Sequence, residues 1–332
     1  MLQRKGFKSQ DYFLLAVSNK VNLDLCLKHA LAGFPNTLPG VWAFSDISEG
    51  DYVSLLYGAT AHNLYRVERK YALKDAEKIG PWPSIKFRMW NKTYYFPFRL
   101  QLEPIKEFKE SLIRIEFAYV GENLLLRGGY RKTHFQADHL TLLNVSSRFG
   151  LESDGRYEAF SDSDTKNFVP VFLDRGFKGL PPESFRTNEI ILQSIIRRYL
   201  KDSSRLQSFL NYLGIELQPD HLEILGEKAL QEGIVDILIK ELTAVPASRK
   251  IAVEVKTNIA TMEDLLQIRA YVNTLGKECL AGVLIAGGFR KQVIASAQDK
   301  NICLFKYDVS FSNSGSASFE NLIENFRLSK VQ

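Results

Sequence analysis

Cysteine is scarce in this chain: Cys26, Cys279 and Cys303 are the three among 332 residues, odd in number and far apart. That leaves no basis for a disulfide framework or a cysteine-built metal motif. Histidine is also thin, with five residues. His134 and His139 stand five apart, which does not stack them on a helix face, so surface or packing roles are expected for them. No apolar run approaches the ~20 residues that span a bilayer, and Met1-Leu2-Gln3-Arg4-Lys5 is not followed by the apolar stretch of a signal peptide. A cytoplasmic protein is expected. Neither charge sign dominates: 43 Lys and Arg against 38 Asp and Glu leave a net charge of +5. Nucleic-acid binding is permitted by that balance and not demanded by it.

What is present is ordinary globular material, 45% hydrophobic and 24% charged. At ~100–200 residues per domain, the length predicts two domains. The stretch around which the chain is organised runs from Gly233 to Lys256. Asp236 sits inside the apolar run Gly-Ile-Val-Asp-Ile-Leu-Ile, and Glu254 and Lys256 flank Val255 in Ile-Ala-Val-Glu-Val-Lys. Side chains alternate along a strand, so Ile251, Val253 and Val255 share one face and Ala252, Glu254 and Lys256 the other. Glu254 and Lys256 then lie about 7 Å apart on one face. Charges in a buried strand are costly unless they are paired or hold a metal. An edge strand carrying a surface ion pair fits the same spacing.

Helical periodicity is expected from Thr187 or Asn188 to Leu200, with Glu189 in the first turn, where a carboxylate also simply offsets the helix dipole. A second helix is expected over 205–213. A third, over 261–275, sets Glu263, Gln267 and Tyr271 four residues apart on one polar face. Strands over 282–286 and 303–307 and a helix over 291–299 follow. The order implies an α/β domain over 185–332 with a mixed central sheet.

Glu189, Asp236, Glu254-Val255-Lys256, Gln267 and Tyr271, in this order and on these elements, resemble the core of the PD-(D/E)XK nucleases. The Gln-x-x-x-Tyr pattern is similar to the RecB-like branch and to archaeal mismatch-cutting endonucleases. The resemblance implies a restriction-endonuclease-like fold and Mg²⁺- or Mn²⁺-dependent phosphodiester hydrolysis. It implies that Asp236, Glu254 and the carbonyl of Val255 are metal ligands and that Lys256 acts on the attacking water. Glu189 would be the acidic residue of the leading helix, and Gln267 and Tyr271 would position substrate or lysine. The spacer Lys240 to Arg249 is irregular and leaves the strand register open.

Residues 10–147 read as several short strands around one or two helices, an α+β domain suggesting a small curved β-barrel. Expected pieces are a strand at 12–17, a helix from Leu23 to Leu31 stopped by Gly33, a turn at 48–51, and strands at 52–57, 63–67 and 94–100. The opening strand with Ser18-Asn19, Gly40-Val41-Trp42, Glu49-Gly50-Asp51 and Phe96-Pro97-Phe98-Arg99 resemble PUA-like domains of the EVE and YTH kind. Such domains hold one modified base in an aromatic pocket. By resemblance Trp42 is one wall, Trp82 or Trp90 the opposite wall, and Ser18 and Asn19 read the base edge. Each tryptophan could equally be a core residue. Lys86, Arg88, Lys92, Arg99, Arg127, Arg131 and Lys132 could form a phosphate track, or simply solvate a surface.

Residues 148–184, rich in Ser, Asp, Gly and Pro, read as a linker in which Phe168 to Leu173 could add a strand to either domain. Together the resemblances imply a modification-dependent DNA endonuclease of a restriction kind, dimeric where both strands are cut. A repair endonuclease, a non-cutting reader and an RNA target are the alternatives.

Overall fold

The computed structural model describes residues 10–58, 60–87, 92–108, 112–113, 125–126, 133–148, 151–152, 156–160, 166–174, 183–230, 232–243, 248–297, 301–311 and 315–331. The chain divides into two compact units, residues 1–119 with 128–170, and residues 120–127 with 171–332.

In the first unit the main sheet runs in the order His134–Ala137, Tyr12–Ala16, Tyr52–Tyr57, Thr60–Leu73, Phe98–Glu107, Leu151–Glu152. Among the described residues this order is an open path, without a pairing between its two ends. Tyr12–Ala16 and Tyr52–Tyr57 pair in parallel, which requires the intervening chain to cross over. Helices Lys20–His29 and Leu38–Asp46 make that crossing. Asn19 caps the first through a bond from the Asn22 N–H at 2.8 Å, and Thr37 caps the second through Gly40 at 3.3 Å. Gly33 does not stop the first helix. Ala30 does, in the left-handed conformation at φ 44°, and Gly33 lies in the strand Leu31–Phe34.

The expected linker supplies strands to both units. Asn167–Phe168 pairs with Ala72 and Leu73 in the first, whereas Val171–Leu173 pairs with Ser184–Arg186 and Ser316–Ser318 in the second.

The second unit is built on a mixed seven-stranded sheet, in the order Phe326–Lys330, Ile302–Val309, Cys279–Phe289, Lys250–Ala260, Gly233–Glu241, Leu222–Leu230, Leu125–Leu126. Lys250–Ala260 is therefore a central strand, which removes the edge-strand reading of Glu254 and Lys256. It runs antiparallel to Gly233–Glu241 and parallel to Cys279–Phe289. Helix Met262–Leu275 is the crossover between the parallel pair. It buries Leu265, Ile268 and Tyr271 in a core with Leu238, Ala252 and Leu284. Each fully buried aliphatic side chain of this kind stabilises by about 1.5–3 kcal/mol. Leu266, next to Leu265 on the same helix, is exposed. The register that the irregular spacer left open pairs Lys240 with Lys250. Next to that pair Glu241 grips Arg249, accepting from its backbone N–H at 2.9 Å, Nε at 3.0 Å and Nη2 at 2.6 Å.

Candidate active site

The two catalytic-type carboxylates meet where two strands part. Gly233–Glu241 and Lys250–Ala260 pair from Lys240↔Lys250 to Ile237↔Val253, and the next step in that register would set Asp236 opposite Glu254. Opposite residues of an antiparallel pair share a face, so the register brings the carboxylates together. The ladder stops before that step. In its place the Asp236 side chain accepts the Val255 N–H at 2.7 Å, closing the fork with a side chain where a backbone carbonyl would have served. Beyond the fork Lys250–Ala260 keeps its parallel partner as far as Lys256↔Ala286 and on to Ala260↔Phe289. Glu254 and Lys256 thus stand on a braced strand.

Glu254 is 1% exposed and Lys256 21%, and their side chains meet at 2.8 Å. Lys256 Nζ is also 3.8 Å from Glu189 Oε1 and 3.8 Å from Asp264 Oδ1. Glu189 is the first residue of helix Glu189–Leu200, whose cap Asn188 accepts the Ile191 N–H at 3.2 Å. Burial pushes the Asp236 carboxyl well above its usual range, and the neighbouring Glu254 charge adds to the rise. Burial also pushes Glu254 up, to about 7, against the opposing pull of Lys256. For Lys256, burial alone would lower the ammonium. Its hydrogen bond to Glu254 and the charges of Glu254, Glu189 and Asp236 outweigh that and hold it above its ordinary value.

Gln267 and Tyr271 face each other as four-residue spacing predicts. Gln267 Nε2 donates to the Tyr271 hydroxyl at 2.7 Å, and that hydroxyl donates to the Ile234 carbonyl at 2.8 Å. Tyr271 is buried, so the expected polar face turns inward at this position. The pair ties helix Met262–Leu275 to the strand that bears Asp236, two residues before it. Gly233 makes room for this tie. It adopts φ +151°, and a Cβ there would stand 3.0 Å from the Tyr271 hydroxyl.

The donor set suits a small divalent cation. Glu254 Oε2 is buried and has no hydrogen-bond partner among the described residues. An acceptor in that position costs free energy unless something electropositive meets it. Asp236, Glu254 and the Val255 carbonyl offer hard oxygens, and Mg²⁺ is commonly held by one or two carboxylates with water and phosphate oxygens completing the set. Among the described residues no three His, Cys, Asp or Glu side chains converge on one ion. The protein's share of the ligands would be two carboxylates and main chain.

Trp42 and Trp82, expected as pocket walls, are both buried. Trp42 is 7% exposed, on helix Leu38–Asp46, with its ring edge-on to His134 at 4.4 Å between centres. His134 is itself bonded to Asp46 at 2.7 Å. Trp82 is 6% exposed and packs on Phe96 at 5.6 Å and over Gly33. The two rings are buried against different partners. Trp90 lies outside the described residues, as do Arg88, Arg127, Arg131 and Lys132. Asn19 is occupied as a helix cap, and its amide donates to the exposed Ser18 hydroxyl at 3.3 Å. Arg99 is no part of a phosphate track. It is fully buried, donating to the carbonyls of Ile79 at 2.9 Å, Gly80 at 2.6 Å and Phe96 at 3.3 Å, between the rings of Trp82 and Phe160.

Sequence reasoning did not single out Asp264 or Thr261. The Thr261 N–H and hydroxyl both donate to Asp264 Oδ2, at 2.7 and 2.9 Å, at the start of helix Met262–Leu275. A Thr-x-x-acid pattern ahead of an apolar run is the signal that points to them.

No protein-family model matches the sequence, and no curated protein does. Solved structures give distant likenesses. A complex described as EndoMS with double-stranded DNA is 13% identical, with 74% of this chain and 77% of that one covered and a TM-score of 0.23. The DNA modification-dependent restriction endonuclease AspBHI is 14% identical over 82% of this chain and 63% of its own, at 0.20. The restriction endonuclease MspJI, in complex with a 27-mer oligonucleotide, is 12% identical over 87% and 64%, at 0.19. At these scores the superpositions do not establish a common fold, and the functional argument rests on the site itself.

Proposed function

We propose that the chain is a metal-dependent DNA endonuclease of the PD-(D/E)XK kind. The observation that carries the reading is the fork: two buried carboxylates, one with an orphaned oxygen, beside a lysine ammonium held by three acidic side chains. A structural ion-pair cluster would not need the buried, unpartnered oxygen on Glu254. Bound Mg²⁺ or Mn²⁺ would supply charge neutralisation on the scissile phosphate and a more acidic water. Asp236 and Glu254 would hold the ion, with the Val255 carbonyl as a further oxygen ligand. Lys256 orients the attacking water and offsets phosphate charge. Gln267 and Tyr271 act one step back, by fixing the crossover helix against the strand of Asp236.

The first unit, in this proposal, chooses the target. Its resemblance to PUA-like readers points to a modified base in DNA and to a restriction role. The burial of Trp42 and Trp82 means that such a pocket would have to open beside them or use other walls. With one active site per chain, cutting both strands calls for a second copy or a second binding event.

The test is incubation of methylated, hydroxymethylated and unmodified supercoiled plasmids with Mg²⁺, with Mn²⁺ and with EDTA. Metal-dependent cutting confined to modified DNA is expected. Equal cutting of all plasmids would remove the modified-base reading and leave the nuclease. Absence of cutting on every plasmid with either metal would remove the DNA nuclease.

A further inference from the structure

Asp264 divides its carboxylate between two tasks. Oδ2 accepts both donors of Thr261, which fixes the side chain at the first turn of helix Met262–Leu275. Oδ1 is left facing Lys256 Nζ at 3.8 Å, and the aspartate is mostly buried. Glu189 stands at the same distance from the ammonium and is likewise rooted in the first turn of a helix. Among the described residues Lys256 therefore has one near carboxylate partner, Glu254 at 2.8 Å, and two flanking ones held by helix starts. The near partner is also the residue whose other oxygen is poised for a cation. The flanking carboxylates restrain the ammonium alongside Glu254, and they carry more of that load once Glu254 serves a cation.

We infer that Asp264 is a positioning residue for Lys256, using a helix cap to anchor the carboxylate that aims the lysine. This deepens the nuclease reading and rests on it for the catalytic consequence, while the geometric claim about Lys256 stands separately. Misplacing a reacting group by about 1 Å can cost on the order of a hundredfold in rate, so loss of one flanking carboxylate is expected to be felt in turnover before binding.

Three substitutions separate aiming from capping. Asp264→Asn keeps an oxygen for the Thr261 donors and drops the charge. Asp264→Glu keeps both the charge and a capping acceptor. Asp264→Ala loses both. In the full chain with Mg²⁺, Asp264→Asn is expected to unfold at nearly the wild-type temperature and to bind DNA with nearly wild-type KM. Its kcat is expected to fall by about tenfold or more. Asp264→Glu should recover most of the rate, and Asp264→Ala should lose both stability and rate. A readout without metal or DNA accompanies these: the acetylation rate of Lys256 relative to the other lysines, read by mass spectrometry. It should rise in Asp264→Asn and Asp264→Ala and stay near wild type in Asp264→Glu.

Unchanged Lys256 labelling in Asp264→Asn would overturn the inference, whether or not the protein cuts DNA. A kcat loss in Asp264→Asn that merely follows its melting temperature would overturn it as well. If labelling responds as expected and the wild-type protein cuts no nucleic acid, the nuclease reading fails and the positioning claim stands.

Discussion

At the scale of single residues, the site is expensive for the fold. Asp236 and Glu254 are buried close together with carboxyls shifted upward, so their protonated forms favour the native state. A group whose folded pKa is raised contributes stability that is full below its unfolded value and lost as pH rises through the folded one. For Glu254 that window runs from its ordinary 4.5 to about 7. The metal-free protein should therefore lose melting temperature across this window. Glu254→Gln should flatten the profile and, at about pH 8, be more stable by roughly 1–3 kcal/mol. A metal-free Glu254→Gln protein less stable than wild type at that pH would show that the carboxylate is structural. The burial of Trp42 gives a second expectation at this scale. Trp42→Ala removes a ring packed on His134, so it should cost about 3–5 kcal/mol in chemical denaturation, as core truncations of large aromatics do. A near-neutral effect would mean that the ring is not the packing element its burial indicates.

At the scale of elements, helix Met262–Leu275 is fastened at two points. Its start is tied beside Lys256 through Asp264, and its third turn is tied to Ile234 through Tyr271. Tyr271→Phe leaves the ring and removes a buried hydrogen-bond donor, which should cost about 1–3 kcal/mol. Gly233→Ala should cost at least as much, because φ +151° strains any side chain and the new Cβ meets the tyrosine hydroxyl at 3.0 Å. Equilibrium unfolding of both variants checks the order, and a neutral Gly233→Ala would show that the hydroxyl has room to move.

Much of this second unit was legible in the sequence because its signals are local. Alternation along Lys250–Ala260 put Glu254 and Lys256 on one face, and four-residue spacing put Gln267 beside Tyr271. What was not legible is long-range. The meeting of Asp236 with Glu254 depends on a register set across an irregular spacer, where Lys240 lies opposite Lys250 and Glu241 grips Arg249. The aim of Asp264 depends on where the crossover helix Met262–Leu275 lands against the sheet. In the first unit the limit is different. An aromatic or basic side chain carries no mark of the face it takes, so Trp82 reads as pocket wall or core and Arg99 as phosphate contact or solvated surface charge, and both are buried against each other.

At the scale of the whole molecule, the chain has two compact units, with the acidic fork and its lysine wholly in the second. The proposal divides labour the same way, with target choice in the first unit and hydrolysis in the second. Asp236→Asn should then bind modified and unmodified DNA with the same preference as wild type, measured by titration without cutting. A preference that vanishes with Asp236 would place recognition at the hydrolytic site. The central claim is that the fork hydrolyses phosphodiesters with a bound metal, and the conversion of supercoiled plasmid under Mg²⁺ by wild type, Asp236→Asn and Lys256→Ala tests it most directly. Wild type should nick or linearise the plasmid, blocked by EDTA, and each variant should be slower by about a hundredfold to a thousandfold at equal DNA binding. Cutting by either variant at the wild-type rate would contradict the claim.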